Sequence, residues 1–326
     1  MISTVRSSTS SGRTLSSQPV FPLQNVTSSP LAAALLLTVS SACWGGNIFI
    51  GRLMHAEVPP VGLSFWRWAL ALLIFLPFAW PRVRRDWPAI RRHWRALALL
   101  AFFGMAGFHT ALYLSVNYTT ATNAALLVAI CPVLVPVLSW ALYREPITGR
   151  ILLATLVSLA GVAVVVLRGD LAQLRSLSFN KGDFIMLVAV FAWSMYTVLV
   201  KRRPADLHPQ SLLVATMALA AAMLLPVYLW ESATVRPMPV TGDALLAVAY
   251  VVVFASLLAF LCFNRGIEVL GPNKGGLFLH LIPVFAALLA FVFLGERLQP
   301  FHAVGIAAIA AGIVLATTAG RQRASA

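Results

Sequence analysis

The sequence is dominated by long apolar runs that short polar segments separate. A helix needs about 20 mostly apolar residues to cross a bilayer, where it satisfies its own backbone hydrogen bonds. Only 10% of the 326 residues are charged, against roughly 25% in soluble domains. The sequence therefore predicts an all-α integral membrane protein. Its ten predicted spans are residues 31–53, 62–81, 95–116, 119–142, 148–168, 183–200, 209–231, 243–264, 272–294 and 300–319.

The segments outside the apolar runs are rich in proline, serine or arginine. The arginine-rich segment 82–95 is predicted to be a loop between the second and third spans. Residues 1–30 are predicted to be a disordered cytoplasmic tail, and residues 320–326 are predicted to be a second cytoplasmic tail. The first of these tails also has the serine-rich, acid-free composition of an organelle transit peptide, so a targeting role stays open.

The distribution of positive charge predicts how the chain sits in the membrane. The net charge of +14 could indicate a nucleic-acid partner. When the ten spans alternate in direction, however, most of the 24 Lys and Arg residues fall on the side that holds both chain ends. Cytoplasmic loops carry such an excess. We therefore expect both termini in the cytoplasm, a location in the cell inner membrane with lipid as a partner, and no bound nucleic acid.

A shift of 151 residues superimposes the two halves of the chain. Pro132 falls on Pro283, and Gly161 falls on Gly312, without a gap. The two prolines are expected to loosen or kink their helices. The repeats are predicted at 31–168 and 182–319. Since each holds five spans, the second must be inverted relative to the first. Inverted repeats are typical of secondary transporters, whose solute site lies near the membrane midplane between the halves.

Two polar stripes match under the same shift, and we expect them to line a cavity. Residues four apart share one face of a helix. In a bilayer such polar faces turn toward the bundle interior or a water-filled space. The stripe of the third span is Met105, His109, Tyr113 and Asn117, and that of the eighth span is Ser256, Phe260, Asn264 and Glu268.

Two aromatic positions near the middle of their spans are further candidates for contact with a solute. Trp44 and Asn47 share a helix face, and Trp193 and Tyr196 repeat that spacing in the second half. Tryptophans usually collect at the membrane interface rather than at its centre. These side chains are predicted to line a solute site, and ordinary helix packing is the alternative.

Ionisable groups inside the spans are few. His280 lies near the centre of the ninth span, where it could bind a carboxylate or exchange a proton, or simply bond to a neighbouring helix. Arg67 in the second span is expected to cap backbone carbonyls or to extend to the outer surface, with attraction of an anionic group as the alternative. No Asp or Glu lies near a predicted midplane, which disfavours export of organic cations.

Several motifs resemble those of EamA-type members of the drug/metabolite transporter superfamily. Residues 42–49 read Ala-Cys-Trp-Gly-Gly-Asn-Ile-Phe, and the Pro59-Pro60 pair precedes Phe65-Trp66-Arg67-Trp68. Segment 260–296 runs through Asn264-Arg265-Gly266, Pro283 and Gly295-Glu296. The resemblance covers about residues 31–319. It implies ten helices and the export or exchange of small metabolites, which in some members are amino acids.

The expected function is a secondary transporter that exports or exchanges small metabolites, most favourably neutral or aromatic amino acids. Uptake of a sugar or purine-like solute is the alternative, and a non-transporting membrane scaffold is a third interpretation. The sequence has no nucleotide-binding GxxxxGK[ST] motif, no zinc-type cysteine spacing and no catalytic motif. We therefore expect no cofactor, no metal and no enzymatic activity. The sequence leaves the oligomeric state open.

Overall fold

Ten long helices make up the fold in a computed structural model that describes residues 29–54, 57–115, 117–119, 121–170, 172, 179–294 and 299–318. Each is long and apolar enough to cross a membrane, which confirms the predicted fold class and number of spans. The predicted tails lie almost entirely outside the described residues. The helices are α1 (Pro30–Met54), α2 (Pro60–Arg92), α3 (Trp94–Ser115), α4 (Asn123–Tyr143), α5 (Gly149–Val166), α6 (Lys181–Lys201), α7 (Pro209–Thr234), α8 (Gly242–Leu270), α9 (Pro272–Phe293) and α10 (Pro300–Thr317).

The α2 helix is longer than the sequence suggests, and the predicted loop at 82–95 is wrong. This helix of 33 residues continues through three internal prolines to Arg92, and α3 begins two residues later at Trp94. Each proline removes one helical hydrogen bond. The extension nevertheless buries Val83 and Ala89 against its neighbours, and this packing supports the helix beyond the apolar run.

Two helices contain a wider π-type turn at matching places. The turn spans Phe102–Ala106 in α3 and Val251–Leu258 in α8. These segments overlap when the chain is shifted by 151 residues. Wider turns of this kind are rare in proteins, but those that occur are often found at functional sites. Here they lie next to the two polar stripes, so the backbone deviates from the regular helix where the stripes begin.

The matching prolines of α4 and α9 interrupt their helices as expected. A turn at residues 129–130 divides α4 just before Pro132. The tighter 3₁₀ segment Gly276–Leu281 precedes Pro283 in α9. A proline has no backbone N–H, so it cannot donate a hydrogen bond to the preceding turn of the helix. The expectation that both prolines loosen their helices is confirmed.

Glycines allow α5 and α10 to approach each other closely. A Cβ atom added to Gly161 would lie 2.7 Å from the carbonyl oxygen of Gly305, and one added to Gly312 would lie 2.6 Å from that of Ala154. Both distances are too short for any larger residue. The shift of 151 residues superimposes Gly161 on Gly312 and Ala154 on Gly305, so the two contacts are equivalent in the two halves. Around the rest of the molecule α1 packs on α8, α3 on α6, and α2 on α7.

Candidate solute site

An aromatic core fills the space between α1, α2, α3, α6 and α8, and Phe260 lies at its centre. Trp44 and Trp193 meet edge to face, with ring centroids 4.9 Å apart. This geometry is favourable for aromatic pairs. We define the aromatic core as the rings that surround Phe260 at centroid distances of 5.0 to 6.2 Å, namely Trp68, Trp44, Trp193, Tyr196 and His109.

A hydrogen bond between an asparagine and a tyrosine lies in each half of the chain. In the first half the Tyr113 hydroxyl donates to Asn47 Oδ1 (3.2 Å). In the second half the Tyr196 hydroxyl donates to Asn264 Oδ1 (2.6 Å). We call them the first-half pair and the second-half pair. Each joins the first and third helices of its half, with the two residue types exchanged between those helices. The structure thus brings these four predicted site residues together around the core.

Arg67 is buried beside the aromatic core. Its Nε donates to Ser256 Oγ (2.8 Å) and its Nη1 to the Tyr113 hydroxyl (3.1 Å). Its Nη2 donates to the carbonyl of Ala255 (3.0 Å), in the π-type turn of α8. The guanidinium carbon lies 4.9 Å from the centroid of the Trp68 ring. The expectation that Arg67 extends to the outer surface is wrong, because its side chain is fully buried, whereas its bond to the Ala255 carbonyl agrees with the expectation that it caps a backbone carbonyl.

A small pocket opens on the side of the first-half pair away from the aromatic core. Its polar lining residues are Asn47, Tyr113 and Asn117. Apolar side chains from α1, α2 and α8 make up most of the remaining lining, which contains no charged residue. Concave sites with an apolar lining and a few polar groups are typical of small-molecule binding. The Tyr113 hydroxyl separates this pocket from Arg67.

The two predicted histidines occupy different surroundings. His109 lies in the aromatic core, 5.5 Å from the Trp68 ring by centroid, and its Nδ1 contacts the carbonyl of Met105 at 3.1 Å. His280 lies apart from the core. Its Nδ1 is 2.6 Å from Ser158 Oγ, and its Nε2 is 3.0 Å from the carbonyl of Ala129. Both nitrogens of His280 are therefore engaged by neighbouring helices.

Charged residues gather beside the second-half pair, near the C-terminal end of α8. Glu268, the last residue of the eighth-span stripe, forms ion pairs with Arg203 (3.1 Å) and Arg265 (3.0 Å). Lys201 Nζ donates to the backbone carbonyl of Glu268 (2.8 Å). The matching position of the third-span stripe is Asn117, in the pocket lining. The two ends of the site therefore differ in charge.

A model of the EamA-like transporter family matches the chain twice, at residues 31–167 and 180–318. These matches include the helices that form the aromatic core. The chain belongs to this family. As an EamA-like transporter it is a multi-pass membrane protein, and the resemblance noted in the motifs is confirmed.

Relatives of this EamA-like transporter are described as transporters. An uncharacterized transporter of Bacillus subtilis, YyaM, is 27% identical over 84% of this chain and 91% of its own length. A probable terminal-alkyne amino-acid exporter of Streptantibioticus cattleyicolor is 28% identical over 70% of this chain and 75% of its own length. One crystal structure shares the fold with a TM-score of 0.70 at 19% identity, covering 91% of this chain and all of that one.

Sequence reasoning missed two members of the site in this EamA-like transporter. Trp68 is fully buried in the aromatic core, and the carbonyl of Ala255 accepts hydrogen bonds from both Trp44 Nε1 (3.0 Å) and Arg67. An available signal was the Phe65-Trp66-Arg67-Trp68 segment, because a span with one internal cation between aromatic residues invites a cation–π contact. A backbone carbonyl has no side-chain signal.

Proposed function

We propose that this EamA-like transporter exports amino acids or closely related small metabolites across the cell inner membrane. The observation that carries the proposal is the buried aromatic core, which Asn–Tyr hydrogen bonds flank in both halves. The aromatic walls suit a solute's apolar or aromatic side chain, and the neighbouring amide, hydroxyl and guanidinium groups suit the polar part of the same solute. The similarity to a probable amino-acid exporter supports this solute class over a sugar.

The proposed mechanism is alternating access between two inverted halves. Two contacts between residues that the shift of 151 residues superimposes support the inversion: His109 with Phe260, and Ala129 with His280. Contacts between equivalent residues are expected near a two-fold axis. In this mechanism the first-half pair closes the path to the outside and the second-half pair closes the path to the cytoplasm.

The proposed orientation places both termini in the cytoplasm. The pocket at the first-half pair then faces outward, and the Glu268 cluster lies on the cytoplasmic side. The ion pairs of Asp206 with Arg92 (3.5 Å) and of Glu145 with Arg202 (3.4 Å) also lie at the cytoplasmic ends. An exported solute would enter past Glu268 and leave through the pocket.

A counterflow screen tests the proposed function. The purified chain is reconstituted into liposomes that are loaded with one unlabelled solute, and entry of the same labelled solute is followed. Amino acids, sugars and nucleosides form the panel, and protein-free liposomes are the control. We expect counterflow of amino acids with apolar or aromatic side chains. Counterflow of sugars or nucleosides alone would support the alternative of sugar or purine transport, and no counterflow at all would contradict a carrier of these solutes.

A further inference from the structure

Arg67 carries a buried positive charge without an acidic partner in the part of the chain that the structure describes. No Asp or Glu oxygen there lies within 4.0 Å of its guanidinium, and each of its three hydrogen bonds goes to a neutral oxygen. The side chain has no exposed surface. The free energy lost when a charge is removed from water exceeds the free energy gained from hydrogen bonds to neutral groups. A charge kept in such a place points to a negative group that arrives from outside the protein.

Further buried donors beside Arg67 and in the aromatic core have no acceptor among the described residues. The three bonds leave part of the donor capacity of the guanidinium unused. In the described part of the chain, the buried indole nitrogens of Trp68 and Trp193 have no hydrogen-bond partner, and both rings contact Phe260. The hydroxyl of Ser64, one turn before Trp68, is also buried and unpartnered. Buried donors are nearly always bonded, so these groups together suit a ligand that is rich in oxygen acceptors.

The pocket provides a route from the surface to this charge. Asn47 and Tyr113 line it, and the Tyr113 hydroxyl accepts a hydrogen bond from Arg67 while donating to Asn47. Opening the first-half pair therefore connects the pocket with the guanidinium through one side chain. In the proposed direction of export, an anionic group that leaves Arg67 passes Tyr113 and then reaches the pocket.

We propose that Arg67 binds the carboxylate of the transported solute and so selects carboxylic acids over their neutral derivatives. The inference rests on the proposed function and narrows its solute class. A guanidinium binds a carboxylate through two parallel hydrogen bonds, while the aromatic core takes the solute's apolar side chain. A purely structural role for Arg67, joining α2 to α3 and α8, is the competing explanation.

The first test uses the unchanged protein. Isothermal titration of the purified chain compares L-leucine with L-leucinamide, and L-phenylalanine with L-phenylalaninamide. The amine-free pair of 4-methylpentanoate and 4-methylpentanamide repeats the comparison with no net positive charge on either compound. We expect both amino acids and 4-methylpentanoate to bind at least about tenfold more tightly than the amides, the difference typical of a hydrogen-bonded charged group. Equal binding of acids and amides overturns the inference.

The second test uses variants. Arg67→Gln should bind acids and amides about equally, whereas the control Arg95→Gln, which changes an exposed arginine of α3, should keep the preference of the unchanged protein. A preference that survives in Arg67→Gln overturns the inference. If Arg67→Gln fails to fold, Arg67→Lys replaces it. It keeps the charge without the planar fork, so a reduced preference for the acids is expected and an undiminished one overturns the inference.

Flux in liposomes separates this inference from the proposed function. If amino acids move by counterflow but acids and amides bind equally, the role of Arg67 is wrong and amino-acid transport stands. If the purified chain prefers acids in titration but moves no amino acid, the proposed function is wrong and the carboxylate site stands.

Discussion

Trp44 lies in the first helix of the first half and Trp193 in the first helix of the second half, and their rings are in contact. Their environments differ in one respect. Trp44 Nε1 donates to the carbonyl of Ala255 (3.0 Å), whereas the buried Trp193 Nε1 has no hydrogen-bond partner among the described residues. Trp44 is thus fixed to α8, while the indole N–H of Trp193 remains open to a solute. The two residues are expected to contribute differently, Trp44 through shape and Trp193 through shape and a hydrogen bond.

Replacement of either tryptophan by alanine should lower transport. We expect Trp44→Ala and Trp193→Ala to reduce counterflow by at least about tenfold, which corresponds to about 1.4 kcal/mol of transition-state free energy, with protein abundance near normal. Trp230→Ala is the matched control, because this tryptophan of α7 is 63% exposed and lies outside the aromatic core. Unchanged counterflow in both core variants would assign these rings to packing alone.

His280 should matter for stability rather than for transport. Removing its ring in His280→Ala leaves Ser158 Oγ and the carbonyl of Ala129 without their partner, which costs about 1–3 kcal/mol. We expect a lower thermal unfolding temperature in detergent and unchanged counterflow per folded molecule. His109→Ala, in the aromatic core, is the comparison and should lose counterflow. Loss of counterflow in His280→Ala at an unchanged unfolding temperature would instead support the solute contact predicted from the sequence.

At the scale of helices, the first-half and second-half pairs should act in opposite directions. In the proposed mechanism, Asn47→Ala removes a bond that closes the outer path, and Asn264→Ala removes one that closes the cytoplasmic path. Loss of about 1 kcal/mol shifts a two-state equilibrium about fivefold. In a background with Cys43, Cys131 and Cys262 replaced by serine, Leu63→Cys in the pocket lining reports outward opening through its rate of thiol labelling. We expect faster labelling with Asn47→Ala and slower labelling with Asn264→Ala.

A common direction of change in the two variants would contradict this assignment. It would indicate that both hydrogen bonds stabilise the same closed state rather than opposite gates. Leu63→Cys with neither asparagine replaced provides the reference rate.

The helices could be predicted from the sequence because each apolar run must satisfy its backbone within itself. The interruptions before Pro132 and Pro283 were also predictable, because proline has no backbone N–H to donate to the preceding turn of the helix. The π-type turns of α3 and α8 were not, because neither segment contains a proline and the single Gly104 in the first has no counterpart in the second. The end of α2 was misplaced because an arginine-rich segment can leave the membrane and still remain helical.

The site was predicted to the extent that spacing along a helix defines a face. The stripes supplied His109, Tyr113, Phe260 and Asn264, all of which contact the aromatic core or take part in its flanking pairs. The place of Arg67 could not be predicted, because spacing within α2 does not reveal which helices pack against it. Its partners come from α3 and α8, and only the folded arrangement brings Tyr113 and Ser256 to the guanidinium.

The whole molecule should lie in the membrane with its arginine-rich end in the cytoplasm. The helical hairpin between α2 and α3 carries Arg91 at this end. In the same cysteine-free background, Arg91→Cys should resist a membrane-impermeant thiol reagent in intact cells. Val240→Cys, in the segment between α7 and α8 where the side chain is 84% exposed, should react. Reaction of Arg91→Cys together with protection of Val240→Cys would reverse the proposed orientation.

In the proposed mechanism and orientation, the Glu268 ion pairs should give the two faces of the carrier unequal resting populations. Cytoplasmic opening would break the ion pairs of Glu268 with Arg203 and Arg265, whereas the matching position on the outer side is the uncharged Asn117. A site that is open to the cytoplasm for only a fraction of the time binds with an apparent affinity reduced by that fraction. Such a carrier would need a higher internal concentration of the metabolite to reach half of its maximal rate, and its rate would rise as the metabolite accumulates. The carrier would then export mainly when its metabolite is in excess inside the cell. Raised ionic strength would screen the cytoplasmic ion pairs and so favour opening to the cytoplasm.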